Sequence, residues 1–310
     1  MTMPTTSTLP EDLGPALCPL NDMDVIEVTG ADAEGFLNGQ LSQVVSSRLS
    51  SRATLSAWLD ARGRVLALFR AIRTGDHWLL LTRGADIDAL IRRLEMFVLR
   101  ADVQLRDASS EWFAAATLGD IDAWLASRSV SLSRQSGATA TANSAFLVRV
   151  GPRLVYLLSA GAATREWAHD IPAVAEESVA SEEIHLGLVN LVPQLAGRYT
   201  AHMLNLDRMG ALAFDKGCYP GQEIVARTQN LGTVKRRTFR FSGELEREPT
   251  VGTAMLDSRG SQVGEVVRAV TAAESRVELL AVVRIDSAIE ALTCATDPGL
   301  TLTRESLPGE

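Results

Sequence analysis

The 310-residue sequence predicts an α+β protein with two successive units of similar order and a small C-terminal β-barrel or sandwich. Three observations lead to this fold class. The length suits two or three domains, since domains average roughly 100–200 residues. Strand and helix patterns alternate twice in the same order. Beyond Leu231 the helical periodicity stops and strand patterns take over. We expect a flexible tail at residues 1–20, a region at 21–230 divided into units at about 21–108 and 109–230, and the β-structure at 231–310.

The first unit shows clear local patterns. A strand at Val25–Val28 precedes capping residues at positions 29–32 and a helix. Turns rich in Gly and Asp then separate three strand patterns, which lie at residues 53–59, 64–73 and 77–82. Apolar residues recur every three or four positions between Ala85 and Val98, which is typical of an amphipathic helix. A strand at 102–106 completes the unit.

The second unit repeats this order more loosely. The patterns predict a strand at Trp112–Leu118, a helix at Ile121–Ala126, a hairpin of residues 145–150 and 154–159, and a helix near Arg165. Residues 127–144 are rich in Ser, Ala and Gly and predict a surface loop. Further strands are expected in the C-terminal region, at residues 234–241, 262–270 and 276–284.

The composition excludes several classes of protein. Hydrophobic residues make up 46% and charged residues 22%, as in soluble globular proteins. The net charge of −8 disfavours binding to nucleic acid or anionic membranes. No apolar run reaches the ~18 residues of a membrane span, and the first twenty residues lack the features of a leader. Three cysteines and four histidines show no metal-ligand spacing. We expect a cytoplasmic protein without a metal site, a membrane partner or a direct nucleic-acid partner.

One segment departs from this acidic background. Residues 216–240 contain six basic residues and one acid, Glu223, for a net charge of 6 − 1 = +5, so the remainder carries −13. The six are Lys216, Arg227, Lys235, Arg236, Arg237 and Arg240. The segment predicts a patch that faces an anion. For residues 235–240 the alternative is a solvated edge strand whose charges prevent aggregation.

Cys218 lies in this segment, just before Pro220-Gly221 and a predicted helix at 222–227. A helix N-terminus and the nearby ammonium of Lys216 would both favour the thiolate. Cys218 is therefore a candidate reactive thiol. The alternative is a small residue that packs beneath a turn.

The run Lys216–Glu223 reads KGCYPGQE and matches a K-G-C-Y-x-G-Q-E signature in full. In this signature the sequence resembles the YgfZ-type folate-binding proteins, relatives of the glycine-cleavage aminomethyltransferase (T-protein) that take part in iron–sulfur protein maintenance and tRNA modification. Flanking stretches agree with the family, namely residues 36–41, 58–64, 203–207 and 224–227. The resemblance runs from about Asp24 to Arg284 and is weakest at 105–184.

This resemblance implies a T-protein-like ring of two ferredoxin-like α+β folate-binding subdomains closed by a C-terminal β-barrel. Tetrahydrofolate, or a one-carbon derivative, would lie in the central cavity. The implied cofactor-binding residues are Lys216, Tyr219, Gln222, Glu223, Arg227, Asn205, Asp60 and Arg64. Lys216 and Arg227 would face the anionic glutamyl tail, since Arg suits bidentate pairing with a carboxylate. For Asp60 a turn-forming role is the alternative.

The sequence also departs from its relatives. Aligned on Gly63, the carboxylate pair of T-proteins is replaced by Ala67 and Leu68, which cannot transfer protons. Val44, His185 and His202 replace residues common in the family, and these changes concern the contacts to the pterin ring.

The sequence therefore favours a folate-binding accessory protein that supports assembly or repair of iron–sulfur enzymes, including tRNA-modifying ones, through the thiol of Cys218. Its partners would be iron–sulfur client enzymes and assembly factors, and it would not be a classical enzyme. One alternative is a folate-dependent aminomethyl or one-carbon transferase, which rests on fold analogy. Another is an adaptor that has lost folate.

Overall fold

A computed structural model describes residues 14–49, 51–160, 167, 169, 171–272, 276–288 and 291–310. Within them the chain forms two five-stranded sheets and one closed barrel. The predicted fold class, α+β with two sheet-forming units and a terminal β-barrel, is confirmed. None of the described helices is long and apolar enough to cross a membrane.

The strands in chain order are β1 (Ala16–Pro19), β2 (Met23–Thr29), β3 (Thr54–Leu59), β4 (Val65–Thr74), β5 (His77–Arg83), β6 (Gln104–Asp107), β7 (Trp112–Leu118), β8 (Thr139–Ala142), β9 (Ala145–Arg149), β10 (Leu154–Ala160), β11 (Arg236–Glu244), β12 (Ala254–Leu256), β13 (Gln262–Thr271), β14 (Arg276–Arg284), β15 (Leu292–Cys294) and β16 (Asp297–Glu305). The helices are α1 (Ala33–Gln40), α2 (Ile87–Glu95), α3 (Asp122–Ser127), α4 (Glu176–His185) and α5 (Gln222–Leu231).

The first sheet has the strand order β3-β4-β5-β2-β6, and all its strands pair antiparallel. Every strand and helix predicted for this unit is present within a few residues. The helices bury Phe36, Leu37 and Leu94 against Trp58 and Phe69. The Gly- and Asp-rich turns and the apolar periodicity of α2 allowed these elements to be predicted from the sequence.

The second sheet has the order β8-β9-β10-β7-β1, so it repeats the arrangement of the first sheet. The outer strand that β6 supplies in the first sheet is supplied here by β1, which pairs with β7 from Ala16↔Leu118 to Pro19↔Ala115. The repeat is thus visible in topology. It also means that residues 16–19, expected within the tail, are part of a sheet; residues 1–13 lie outside the described residues.

Two other expectations for the second unit need correction or fall outside the described residues, and one helix was not predicted. The expected loop at 127–144 contains β8, which pairs with β9. The sequence did not predict α4, because its buried face includes the polar residues Ser181, Glu182 and Glu183. The helix predicted near Arg165 lies outside the described residues.

The C-terminal region forms a barrel with the strand order β11-β14-β13-β12-β15-β16, not a sandwich. Its interior is apolar and includes Phe241, Met255, Leu279 and Leu302, all fully buried. The segment at 187–225 packs between the first sheet and the barrel, and α4 contacts β1, β10, β13 and β14. These contacts enclose a central cavity between the two sheets.

Candidate functional site

The signature segment is locked onto the turn between β3 and β4. Gly221 precedes α5 with φ +77°, and a Cβ there would lie 2.5 Å from the carbonyl oxygen of Asp60 and 2.8 Å from Cα of Gly63. A Cβ on Gly63, whose φ is +71°, would lie 3.1 Å from Ile224. L side chains are strained at both φ values, and at Gly221 the opposing atoms of Asp60 and Gly63 are backbone, so glycine is the residue that suits these two positions. The predicted helix at 222–227 is confirmed.

Lys216 turns inward to the end of α1. Its Nζ donates hydrogen bonds to the carbonyls of Leu41 at 2.8 Å and Gln43 at 3.1 Å, and lies 5.3 Å from the ring centroid of Tyr219. A cation suits the carbonyl end of a helix. Burial lowers the pKa of Lys216 to about 8. The ammonium therefore helps to fix the loop before α5.

Tyr219 and Gln222 also hold the loop before α5 in place. The buried Tyr219 hydroxyl donates to the carbonyl of Ala213 at 3.2 Å, and the Gln222 amide donates to the carbonyl of Lys216 at 3.4 Å. Burial raises the pKa of Tyr219. Glu223, in contrast, is exposed on the first turn of α5.

Cys218 is the exposed thiol of the chain. Cys18 and Cys294 are buried, at 4% and 0% exposure, and all three cysteines are free. Burial raises the pKa of Cys18 to about 11. Cys218 alone therefore offers an accessible thiol among the described residues.

Asp60 and Arg64 shape the turn on which α5 rests. Asp60 Oδ1 accepts from the backbone N–H groups of Arg62 at 2.8 Å and Arg64 at 2.9 Å. The Arg64 guanidinium donates to the carbonyls of Gly197 at 3.2 Å and Arg198 at 2.8 Å. The turn-forming alternative for Asp60 agrees with this geometry.

Asn205 joins the central segment to the barrel. It has φ +57°, its amide donates to the carbonyl of Thr238 at 2.7 Å, and its Oδ1 accepts from Arg237 at 3.1 Å. Arg237 also pairs with Asp207 at 2.8 Å. Burial alone would raise the pKa of Asp207, but the hydrogen bond and charge of Arg237 hold it below its usual range.

The basic segment is therefore divided in its roles. Lys216 faces inward, Arg237 is paired, and Arg240 lies 3.9 Å from Glu305. Arg227, Lys235 and Arg236 remain exposed.

The central cavity is separate from the signature segment. It has an outer compartment of about 660 Å³ and an inner one of about 60 Å³. Leu55, Arg70, Leu188 and Met209 line both compartments. None of the predicted site residues lines either one. The assignment of Lys216, Tyr219, Gln222, Glu223, Arg227, Asn205, Asp60 and Arg64 to folate stays a prediction, and the structure gives most of them contacts to the protein itself.

The inner wall of the cavity carries a buried ionic network that the sequence did not reveal. Glu183 on α4 has no exposed surface and pairs with Arg83, at 2.7 Å, and with Arg268; it also accepts from the Tyr156 hydroxyl. Arg83 makes a second pair, with Asp22 at 2.6 Å. Burial alone would raise the pKa of Glu183, but the charges of Arg268 and Arg83 hold it low. The network joins both sheets, α4 and the barrel.

The positions that depart from the family are also visible. Ala67 is buried in the core of the first sheet, and Leu68 lines the inner compartment. No proton-transfer group stands at either position. Val44 lines the outer compartment. His185 and His202 are not among the residues that line the cavity. His185 lies 3.0 Å from Glu278, and His202 lies 3.1 Å from Gln229.

The described part of the chain contains no group of three or more His, Cys, Asp or Glu side chains that could hold a metal ion.

Comparison with known proteins connects this geometry to relatives. No family model matches the chain. It is 27% identical to "tRNA-modifying protein YgfZ" of Colwellia psychrerythraea, over 99% of this chain and 96% of that protein. It is 25% identical to the protein of the same name from Escherichia coli O157:H7, over 94% of this chain and 92% of that one. The fold matches the crystal structure of glycine cleavage system aminomethyltransferase T from Bartonella henselae, with a TM-score of 0.76, 17% identity, and coverage of 99% and 91%.

These matches confirm the resemblance that the signature predicts: the chain is similar over nearly its whole length to the YgfZ proteins and has the fold of aminomethyltransferase T.

Proposed function

We propose that this chain is a folate-binding accessory protein that supports the assembly or repair of iron–sulfur enzymes, including tRNA-modifying ones, and that Cys218 is its working thiol. The observation that carries the proposal is the exposed Cys218 at the centre of an intact signature whose neighbours are held in place. The name of these relatives, tRNA-modifying protein, supports the link to tRNA.

The geometry around Cys218 favours a chemical role over a packing role. A cysteine that packs beneath a turn would be buried, whereas Cys218 is exposed and Tyr219 beside it is buried. Lys216 and Gly221 fix the backbone on either side. The signature residues would thus present the thiol at a defined position instead of contacting folate.

The transferase alternative is less well supported. Its carboxylate pair would stand at Ala67 and Leu68, and both side chains are apolar in the structure. Without a group that accepts a proton, the chain lacks the acid–base equipment of that reaction. The shared fold does not by itself imply the shared activity.

The size and lining of the central cavity support the proposal of a folate cofactor. The volume of its outer compartment falls in the range of roughly 300–1,000 Å³ that is usual for small-molecule sites. Arginines line it beside apolar side chains, which suits an organic anion such as tetrahydrofolate. When bound in this cavity, the cofactor would supply a one-carbon unit or a reduced pterin.

Client enzymes would meet the protein at the surface around Cys218. Phe214, Ile224 and Leu231 are exposed apolar side chains on the same part of the chain, at 45%, 36% and 86% exposure. Exposed large apolar side chains favour contact with a protein. We place this interaction in the cytoplasm.

The test is complementation of a bacterial strain that lacks its own YgfZ protein. Cys218→Ala should reduce both the thiomethylation of tRNA and the activity of an iron–sulfur enzyme, at an unchanged protein level. Asp215→Ala, an exposed position in the same loop, is the matched control and should complement fully. Full complementation by Cys218→Ala would remove the thiol from the proposal.

A further inference from the structure

Arg70 lies at the centre of β4 and is 8% exposed, yet the structure gives it no acceptor. Among the described residues none accepts a hydrogen bond from its guanidinium or forms a salt bridge with it; the guanidinium lies over the Tyr156 ring, whose centroid is 5.8 Å away. Burial lowers the pKa of Arg70. A buried charge without a hydrogen-bonded partner is costly and therefore rare. Arg70 lines both compartments of the cavity, so the missing acceptor can come from there.

The carboxylates near Arg70 are already paired with other guanidiniums. Glu183 pairs with Arg83 and Arg268, and Asp22 and Glu176 pair with Arg83. Glu183 also attracts the charge of Arg70 but accepts no hydrogen bond from it, so the Arg70 guanidinium has no hydrogen-bonded acceptor among the described residues.

The described lining of the outer compartment carries arginines and no acidic residue. Its described lining includes Arg52 and Arg208 with Arg70, and no Asp or Glu is among the residues that line it. Arg208 lies 4.0 Å from Glu310, at the rim. The rest of the wall is largely apolar and includes Leu49, Leu55, Leu188 and Met209. This combination fits an organic molecule with an apolar body and an anionic end.

We propose that the central cavity binds a small organic carboxylate and that Arg70 is the residue that binds its carboxylate group, through two parallel N–H···O hydrogen bonds. The inference deepens the proposed function, since the glutamyl end of tetrahydrofolate carries such groups. It moves the anion-binding role from the signature segment, where Lys216 is occupied by carbonyls, to the middle of β4.

Three probes separate the parts of the ligand. Tetrahydrofolate has a pterin and carboxylates, p-aminobenzoylglutamate has carboxylates without a pterin, and tetrahydropterin has no carboxylate. Titration followed by tryptophan fluorescence or calorimetry compares the wild type with Arg70→Gln. The matched control is Arg259→Gln, an exposed arginine of the barrel that lines neither compartment of the cavity.

We expect Arg70→Gln to weaken binding of the two carboxylate probes by about 10- to 100-fold, as the loss of charge-assisted hydrogen bonds requires. Binding of tetrahydropterin should not change. Arg259→Gln should bind all three probes as the wild type does.

Thermal unfolding tests whether Arg70 stabilises the fold and has no role in ligand binding. Without ligand, Arg70→Met should have a Tm equal to or above that of the wild type, because it removes a buried charge that has no hydrogen-bonded partner. A lower Tm together with unchanged binding would mark Arg70 as structural and overturn the inference.

The binding outcomes distinguish this inference from the proposed function. If the wild type binds p-aminobenzoylglutamate through Arg70 but does not bind tetrahydrofolate, the inference stands and the proposed function loses its cofactor. If the wild type binds neither carboxylate probe, the inference is wrong. It is also wrong if Arg70→Gln weakens the binding of tetrahydropterin as much as that of the carboxylate probes.

Discussion

The contact between Gly221 and the β3–β4 turn gives a sharp prediction, that Gly221→Ala destabilises the protein and displaces Cys218. The new Cβ would lie 2.5 Å from the carbonyl oxygen of Asp60 and 2.8 Å from Cα of Gly63. Both are backbone atoms, so no side chain can rotate away.

The magnitude has two sources. An alanine in the left-handed region, at φ +77°, costs about 1–2 kcal/mol. Forcing a methyl group into a packed contact costs roughly 1–3 kcal/mol more. The expected loss is therefore about 2–5 kcal/mol, a large part of the roughly 5–15 kcal/mol that stabilises a typical protein.

Urea or thermal unfolding measures this loss, with Gly217→Ala as the matched control. Gly217 lies in the same signature, its φ is outside the left-handed region, and no atom lies within 4 Å of a Cβ built there. The control should change stability by no more than about 0.5 kcal/mol. Complementation should also fall in Gly221→Ala at temperatures where the protein remains folded, because Cys218 has moved.

A stability of Gly221→Ala within error of Gly217→Ala would refute the reasoning. It would show that the β3–β4 turn and α5 do not hold each other.

Three further predictions concern thiols and charges. Under brief alkylation followed by mass spectrometry, Cys218 should be modified first, since Cys18 and Cys294 are buried; equal rates would contradict this. The pKa of Lys216 is about 8 in the folded chain against an ordinary 10.5, so the unfolded chain binds more protons between these values and stability should gain from rising pH there. Lys216→Arg should not show this rise in stability with pH. Identical pH profiles of the unfolding free energy for the wild type and Lys216→Arg would argue against a lowered pKa of Lys216. Glu183→Gln leaves two buried guanidiniums without their carboxylate and should cost about 3–5 kcal/mol in unfolding experiments; a loss below 1 kcal/mol would count against the network.

The sequence was most informative where a pattern is local. The strands and helices of the first sheet, the hairpin of β9 and β10, and α5 follow from periodicity, turn residues and Gly-Pro placement, because these depend on neighbours along the chain. The KGCYPGQE signature indicated the relatives, and the odd charge distribution marked the same segment. The sequence also showed the loss of the carboxylate pair at Ala67 and Leu68.

The tertiary structure alone decided which charges are used and where. Basic residues of the segment 216–240 hold the fold together, since Lys216 contacts the end of α1 and Arg237 pairs with Asp207. No pattern along the chain predicts such distant partners. β1 completes a sheet from the far end of the chain for the same reason. Arg70 looks like an ordinary residue of an apolar strand, and only the packing of two sheets around a cavity leaves its guanidinium buried without a partner.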